Sequence, residues 1–203
     1  MNVRTIKKCK IQTEEDFPEV KCKIIKAAQE LFVKKGYHNT SIPEIVRKAG
    51  ISTGSIYHYF SSKEALAKEI HDHSVRLLAL NFQENILIYP TAQEQVLAFI
   101  KLMFEWVEND PILVEYLLFS RPQDIFDERT TICSKEGLSL VMGIIEFGQL
   151  TQEIKEGNGY AFYAVLSGTT SRYIQLYLEN KLEPSLIHFI NIANEIIWNA
   201  IKR

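Results

Sequence analysis

The chain has 203 residues, of which 46% are hydrophobic, 24% charged and 11% aromatic, and its formal net charge at pH 7 is −2. This apolar share argues against a disordered chain, and a mean hydropathy of −0.07 without a long uncharged apolar run argues against a membrane-spanning helix. The first residues lack the apolar core of a secretory signal, so we expect a cytoplasmic protein. Cys9, Cys22 and Cys133 are scattered, which predicts reduced thiols and no disulfide framework or metal site.

The small net charge hides a strong asymmetry along the chain. Residues 1–63 contain 12 basic and 6 acidic side chains, a balance of +6, and the remaining residues have a balance of −8. Such a distribution favours an N-terminal surface for an anionic partner and a different task for the rest. Charged runs are often only solvated faces, so the asymmetry does not identify the partner.

Helical signals dominate from the N-terminus onward. Residues 1–20 are polar and aperiodic, which predicts a flexible arm. A helical apolar stripe follows over 21–35, and Gly36 is placed to end that helix. The pattern S-x-x-E from Ser41 predicts a capping box for a short helix that Gly50 ends.

A second short helix is predicted from a cap at Ser52 through Phe60. Ser61 with Glu64 suggests another capping box, at the start of a long helix that ends before Pro90. Proline and glycine then divide the rest of the chain into helices at about 91–109, 111–120, 124–150, 160–180 and 184–202. The predicted fold class is therefore all-α.

Two short helices joined by a glycine-containing turn, over residues 41–60, have the sequence form of a helix-turn-helix. In the second helix only Ile56 and Phe60 are obvious core residues. The remaining side chains are hydroxyls, aromatic rings and a histidine, which suit contacts with phosphates and base edges of DNA. Two core helices of an unrelated helical protein are the alternative. The candidate DNA-binding residues are Ser41, Ser52, Thr53, Gly54, Ser55, Tyr57, His58, Tyr59 and Lys63.

An ordered series of motifs spans residues 21–70. It reads I-x-A-A-x-x-L-F-x-x-x-G-Y from residue 25, T-S-I-x-x-I from residue 40, A-G-I-S-x-G-x-I-Y-x-Y-F from residue 49 and S-K-E-x-L from residue 62. This combination resembles the DNA-binding domain of the TetR (tetracycline repressor) family of bacterial transcriptional regulators. The resemblance covers about a quarter of the chain.

The resemblance implies an N-terminal three-helix helix-turn-helix DNA-binding domain joined to a C-terminal helical domain for ligand binding and dimerisation. It places Ser41 at the start of the first motif helix and Lys63 against a phosphate. The positions it places on the recognition helix are Thr53, Gly54, Tyr57, His58 and Tyr59. The expected domains are an arm at 1–20, the DNA-binding domain at 21–66 and the ligand-binding and dimerisation domain at 67–203.

Aromatic side chains of the C-terminal part are candidates for lining a ligand cavity, although core packing is the favoured explanation for most of them. Arg121 is added as a possible partner for an acidic ligand. The candidate ligand-binding residues are Phe104, Trp106, Tyr116, Phe119, Arg121, Phe147 and Tyr163.

The last two predicted helices have small or apolar residues at helical spacing, which allow helices to approach closely. In the family such helices pair across a two-fold axis, whereas packing within one chain is the alternative. The candidate dimerisation residues are Ala161, Ala164, Gly168, Phe189, Ile196 and Ala200.

These features predict a homodimeric regulator, most simply a repressor, that leaves a palindromic DNA operator when a small molecule binds. A small helical enzyme or ligand carrier is the rival hypothesis, although the sequence contains no hydrolase elbow, phosphate loop or catalytic dyad. No cofactor, metal or membrane partner is expected.

Overall fold

A computed structural model describes residues 18–119, 136–182 and 184–203. Its α-helices are α1 (Glu19–Lys35), α2 (Ile42–Ala49), α3 (Thr53–Tyr59), α4 (Lys63–Asn85), α5 (Ala92–Asn109), α6 (Pro111–Phe119), α7 (Glu136–Leu150), α8 (Gly159–Tyr163), α9 (Thr169–Leu178) and α10 (Ile190–Ile201). Within the described ranges no strand forms, and an isolated antiparallel bridge joins Ile154 to Lys202. The all-α prediction is confirmed.

Most predicted boundaries hold within a few residues. The first helix begins at Glu19, two residues before its predicted start. The predicted helix over about 160–180 is continuous, with a π-helical turn, Ala164–Gly168, between α8 and α9. The final helix begins with a 3₁₀ turn, Leu186–Phe189, and the Ser185 hydroxyl before it accepts a hydrogen bond from the backbone N–H of Ile187 at 3.3 Å.

One predicted cap is wrong. Helix α4 begins at Lys63, and its cap is Ser62, whose Oγ accepts a hydrogen bond from the backbone N–H of Ala65 at 3.1 Å. Ser61, the predicted cap, is exposed one residue further out. Adjacent serines offer the same capping chemistry, so the local sequence does not distinguish between them.

The described residues group into two compact units. The first consists of residues 18–77 and 112–119, and the second of residues 78–111, 136–182 and 184–203, so helix α4 belongs partly to each. The domain division predicted at residue 66 stays a prediction.

The first unit is built on α1. This helix buries Ile24, Ile25 and Phe32 on one side, and both α2 and α3 pack against it. Lys21 on α1 forms an ion pair with Glu69 on α4, with 3.1 Å between Nζ and Oε1. The short motif helices therefore rest on a longer helix that supplies most of their core.

The second unit is organised around α5, which packs against α7, α9 and α10. Two glutamates cap helix starts there from distant positions in the chain. Glu108 accepts hydrogen bonds from the hydroxyl of Ser185 and the N–H of Leu186, both at 2.6 Å. Glu153 accepts from the N–H groups of Ala92 and Gln93, at 3.0 and 3.3 Å, at the first turn of α5.

The Glu153 carboxylate has a pH-dependent role. Burial by itself would raise its pKa, but hydrogen bonds from the N–H of Ala92, the hydroxyl of Thr151 and the N–H of Gln93 together outweigh burial and lower the pKa below 4.5. A carboxyl group with a lowered pKa in the folded state stabilises the fold above its unfolded pKa. That stabilisation is lost as the pH falls through the folded value.

We predict that Glu153→Gln lowers the free energy of unfolding at pH 7 by about 1 kcal/mol, the typical worth of a helix cap. The gap between wild type and variant should narrow as the pH falls below 4.5 and through the lowered pKa of the folded-state carboxyl group. Urea unfolding followed by circular dichroism at pH 7 and at pH values from 4.5 down to 2.5 measures both effects. Glu146→Gln, at an exposed position on α7, is the matched control and should change neither. An equal decrease in the free energy of unfolding for the two variants at pH 7 would contradict this role for Glu153.

Candidate nucleic-acid interface

The turn between α2 and α3 sets the direction of α3. Gly50 ends α2 in the left-handed region, with φ 66° and ψ 38°, where a side chain would be strained. Ser52 then caps α3, since its Oγ accepts a hydrogen bond from the N–H of Ser55 at 3.0 Å. The two serine hydroxyls also lie 2.7 Å apart and share a hydrogen bond. The helix end at Gly50 and the cap at Ser52 were both predicted from the sequence, and both are present in the structure.

Helix α3 has one buried side and one exposed side. Ile56 is fully buried and Phe60, directly after the helix, is 5% exposed, whereas Tyr57 is 55% exposed. Of the other predicted residues on this segment, Ser52, Thr53, Gly54 and His58 are exposed, and Ser55 and Tyr59 are half-buried. The His58 and Tyr59 rings meet edge to face with 4.9 Å between their centroids. A row of polar and aromatic groups thus remains available on the outer side of a rigidly placed helix.

Gly54 has no packing reason to be a glycine. A Cβ built on it would find its nearest neighbour, the Oγ of Ser52, at 3.8 Å, which is ordinary contact. Glycine is a poor helix former, so its presence here lacks a reason within the described fold. Close approach of an external surface to the backbone would supply one.

Ser41 lies exposed at the start of α2, where the predicted capping box forms. Both its N–H and its hydroxyl donate to Oε2 of Glu44, at 2.9 Å each. Oε1 of Glu44 also accepts a hydrogen bond from the Nζ of Lys35 at 2.6 Å. The hydrogen bond from Lys35, followed by those from Ser41, lowers the pKa of the Glu44 carboxyl to about 2, so it is charged at neutral pH.

Lys63, predicted to meet a phosphate, has partners within the chain. Its Nζ donates to the backbone carbonyls of Tyr37 and Thr40, at 3.0 and 2.9 Å. The same ammonium lies 4.1 Å from the centroid of the Tyr37 ring. The hydroxyl of Tyr37 in turn donates to Oε1 of Glu64 at 2.9 Å. Sequence reasoning missed this role of Tyr37, for which an aromatic residue directly after Gly36 is the only local signal.

The predicted ligand residues divide between the two units. Phe104 and Trp106 are buried in the second unit, where Phe147 and Tyr163 are half-buried. Sequence reasoning missed Tyr173, whose ring centroid lies 5.7 Å from that of Phe104. This contact is compatible with core packing as well as with a cavity wall.

The other predicted ligand residues lie elsewhere. Tyr116 is fully buried and Phe119 is 40% exposed, both in the first unit, while Arg121 lies outside the described residues. Burial, followed by the charge of Asp72, raises the pKa of the Tyr116 phenol, which therefore keeps its proton. Within the described residues, neither its hydroxyl nor the indole nitrogen of Trp106 has a hydrogen-bond partner. Buried polar atoms of this kind call for an explanation, and a bound ligand is one.

The predicted dimerisation residues are largely exposed. Ala161, Ala164 and Gly168 are exposed along the α8–α9 helix, Ile196 and Ala200 are exposed on α10, and Phe189 is half-buried. Ile192 and Ile196 are 51% and 50% exposed. Close to Gly168 there is open space, since a Cβ built there meets nothing within 4 Å. The second unit thus presents small residues on one helix and large aliphatic ones on another.

The helices of the described ranges include none with the length and hydropathy that crossing a bilayer requires.

Comparison with known proteins gives a match to part of the first unit. The family model described as "Bacterial regulatory proteins, tetR family" matches residues 24–70, which include α2, the turn and α3. The regulator UidR of Escherichia coli is 40% identical over 60 residues, 30% of each chain.

Two comparisons extend over most of the chain. The fatty acid metabolism regulator protein of Bacillus subtilis is 26% identical over 181 residues, which cover 88% of this chain and 93% of the relative. The crystal structure of the transcriptional regulator FadR from B. subtilis, in complex with stearoyl-CoA, has a TM-score of 0.75 at 26% identity and covers 89% of this chain and 98% of that one. FadR from Bacillus halodurans shares the fold, with a TM-score of 0.73 at 16% identity.

The motif geometry, the family match and the similarity to regulators along most of the chain agree. Residues 24–70 therefore match the DNA-binding segment of the TetR family of bacterial transcriptional regulators, and over most of its length the chain is similar to regulators with a helical fold.

Proposed function

We propose that the protein is a homodimeric repressor that binds a palindromic DNA operator through α3 and leaves it when a small molecule binds the C-terminal domain. The observation that carries the proposal is the two-sided character of α3, with Ile56 buried and Tyr57 exposed. In this proposal residues 21–66 act as the DNA-binding domain and residues 67–203 as the regulatory domain, while the predicted arm at 1–20 lies outside the described residues except for the start of α1. The protein would work in the cytoplasm, where its DNA is.

The exposed side of α3 suits a major groove. The exposed hydroxyl of Thr53, at the start of α3, would donate to a phosphate oxygen. Tyr57 and His58 project from the middle of the helix, where they reach base edges and thymine methyl groups. Gly54 then permits the DNA backbone to come within van der Waals distance of the helix.

A dimer follows from the size of the reading element. A helix of seven residues reads few base pairs, so affinity and selectivity require two copies on half-sites about 34–36 Å apart. The exposed small residues Ala161, Ala164 and Gly168 permit close approach of a second helix, and Ile196 supplies apolar area to bury. These residues support pairing of two chains through α8–α9 and α10.

Long-chain acyl-CoA thioesters are the ligand class we propose. The support comes from the FadR structure with stearoyl-CoA, which this chain matches over 89% of its length. Buried aromatic rings such as Phe104 suit an acyl chain, and the indole N–H of Trp106 is a buried donor without a partner in the described residues. An acyl chain needs apolar walls, and its thioester carbonyl needs a donor.

Release would occur by a shift between two dimer states. A ligand moves this equilibrium only as far as it prefers one state over the other. A preference of about 10⁴-fold, or about 5.5 kcal/mol, changes a 1:99 ratio into 99:1. The state that binds the ligand would hold the two α3 helices at the wrong spacing for the operator.

The proposal predicts that the purified full-length chain selects a two-fold symmetric sequence from a pool of random duplexes. At 0.15 M salt, the selected duplex should bind at least about 10³-fold more tightly than a shuffled duplex. Stearoyl-CoA should release it, whereas free CoA should not. Tyr57→Ala should lose the preference while keeping its thermal stability, because Tyr57 is exposed. If the protein selects no sequence from the pool, operator binding is rejected. If acyl-CoA thioesters of every chain length tested fail to release the bound duplex, the proposed ligand class is rejected.

Gly54→Ala tests the approach of DNA to α3. We predict unchanged or slightly higher thermal stability, because the added methyl group has room and alanine is the better helix former. Operator affinity should fall at least tenfold, because the methyl group would meet the DNA backbone. Gly143→Ala is the matched control, since Gly143 is also exposed and helical with open space around it, and it should leave affinity unchanged. Full operator affinity in Gly54→Ala would show that DNA does not approach this helix turn.

Gly168→Leu tests the dimer surface. A bulky side chain at Gly168 would separate the paired helices, so sedimentation should show a shift towards monomer and operator affinity should fall. Gly143→Leu, the same change on α7, should remain dimeric. If wild type is dimeric and Gly168→Leu dissociates no more readily than Gly143→Leu, the dimer uses another surface.

A further inference from the structure

The charges that precede α1 fall into two blocks of opposite sign. Residues 4–10 contain four basic side chains and no acidic one, whereas residues 14–16 are all acidic. We term residues 4–10 the basic segment, and its charged members are Arg4, Lys7, Lys8 and Lys10. Negative charge is favoured near the positive end of a helix dipole, so the start of α1 accounts for the acidic block. It does not account for the basic segment.

Helix α1 begins beside the end of α3. Lys21 lies in the first turn of α1, and its Nζ is 5.7 Å from the centroid of the Phe60 ring, the residue that directly follows α3. The same Nζ forms the 3.1 Å ion pair with Glu69 on α4. These two contacts fix the start of α1 next to the end of α3. The residues that precede α1 therefore join the domain close to the surface that we propose for DNA.

The basic segment can reach DNA phosphates from that point. Lys10 is eight residues before Pro18. A peptide spans at most about 3.3–3.6 Å per residue, so eight residues reach at most about 26–29 Å. The major groove is only about 12 Å wide, so phosphates on either side of a groove occupied by α3 lie within this limit.

The composition of the basic segment suits phosphates better than base edges. Three of its four basic side chains are lysines, and an ammonium group acts as a compact point charge towards phosphate oxygens. Bidentate contacts with guanine, and contacts within a narrow minor groove, are more typical of arginine. Phosphate contacts raise affinity by releasing counterions, but they carry no sequence information.

We propose that the basic segment binds DNA phosphates next to the groove that α3 occupies, and that it adds affinity without adding sequence selectivity. This inference rests on the proposed operator binding through α3. Pairing of the basic segment with the acidic residues 14–16 of the same chain is the alternative, and it predicts no contribution to DNA binding.

A full-length variant that combines Arg4→Gln, Lys7→Gln, Lys8→Gln and Lys10→Gln tests the proposal. At 0.15 M salt its dissociation constant for the selected operator should rise at least about tenfold. Between 0.05 and 0.3 M salt, the slope of log K against log salt should fall in magnitude by at least about 1.8 for a dimer, since one phosphate contact contributes about 0.9. The ratio of affinities for the selected and a shuffled duplex should stay within about threefold of the wild-type ratio.

The matched control combines Lys7→Arg, Lys8→Arg and Lys10→Arg, which keeps the positive charges. It should keep the wild-type slope, because the number of phosphates that can be neutralised is unchanged. Both variants should unfold at the wild-type temperature, because the substitutions lie outside the described helices.

Two results for the glutamine variant would overturn the proposal. An unchanged slope would show that the basic segment neutralises no phosphate. A selected-to-shuffled affinity ratio that falls more than about tenfold would show that the segment reads bases. Failure of the wild-type chain to select any operator would instead reject the proposed function.

Cys9 lies between the lysines of the basic segment and offers a second measurement. An iron chelate attached to Cys9 in a Cys133→Ala protein cleaves any DNA backbone within its reach, while Cys22 is buried and reacts slowly. Cleavage should fall within about one helical turn, or about 10 base pairs, of each half-site of the selected duplex. The absence of cleavage from a duplex that is fully bound would contradict the proposal.

Discussion

The DNA-binding unit depends on the burial of one side of a helix that is too short to be stable alone. With seven residues, α3 is shorter than the helices that are stable in isolation in water, so its stability depends on packing against the rest of the unit. Burial of Ile56 and Phe60 contributes roughly 1.5–3 kcal/mol for each side chain. The Ser52 cap and the left-handed Gly50 then fix its direction, and the side that remains outside is the one that carries Tyr57 and His58.

Local signals predicted this part of the chain well. A serine followed three residues later by glutamate predicted the capping box at Ser41, and a glycine at the end of an apolar stripe predicted the turn at Gly50; both depend on neighbouring residues. The same kind of signal was ambiguous at Ser61 and Ser62, where either hydroxyl suits the cap and only the path of the chain selects Ser62.

Contacts between residues that are distant in the chain could not be predicted from the sequence. Nothing near Lys63 indicates that its ammonium reaches carbonyls more than twenty residues earlier, because that contact arises from the packing of α4 beside the α1–α2 connection. The aromatic residues show the same limit, since a fully buried Trp106 suits both a core and a cavity wall. Composition indicates that rings are buried but not what they face.

We infer that α3 is the surface that meets DNA. Hydrogen exchange of the full-length chain, followed by mass spectrometry with and without a selected operator duplex, measures this contact. DNA contact through α3 predicts slower exchange of the peptide that contains residues 52–60 when operator is present, with a smaller effect at the start of α2. Unchanged exchange over residues 52–60, together with protection confined to the second unit, would contradict it.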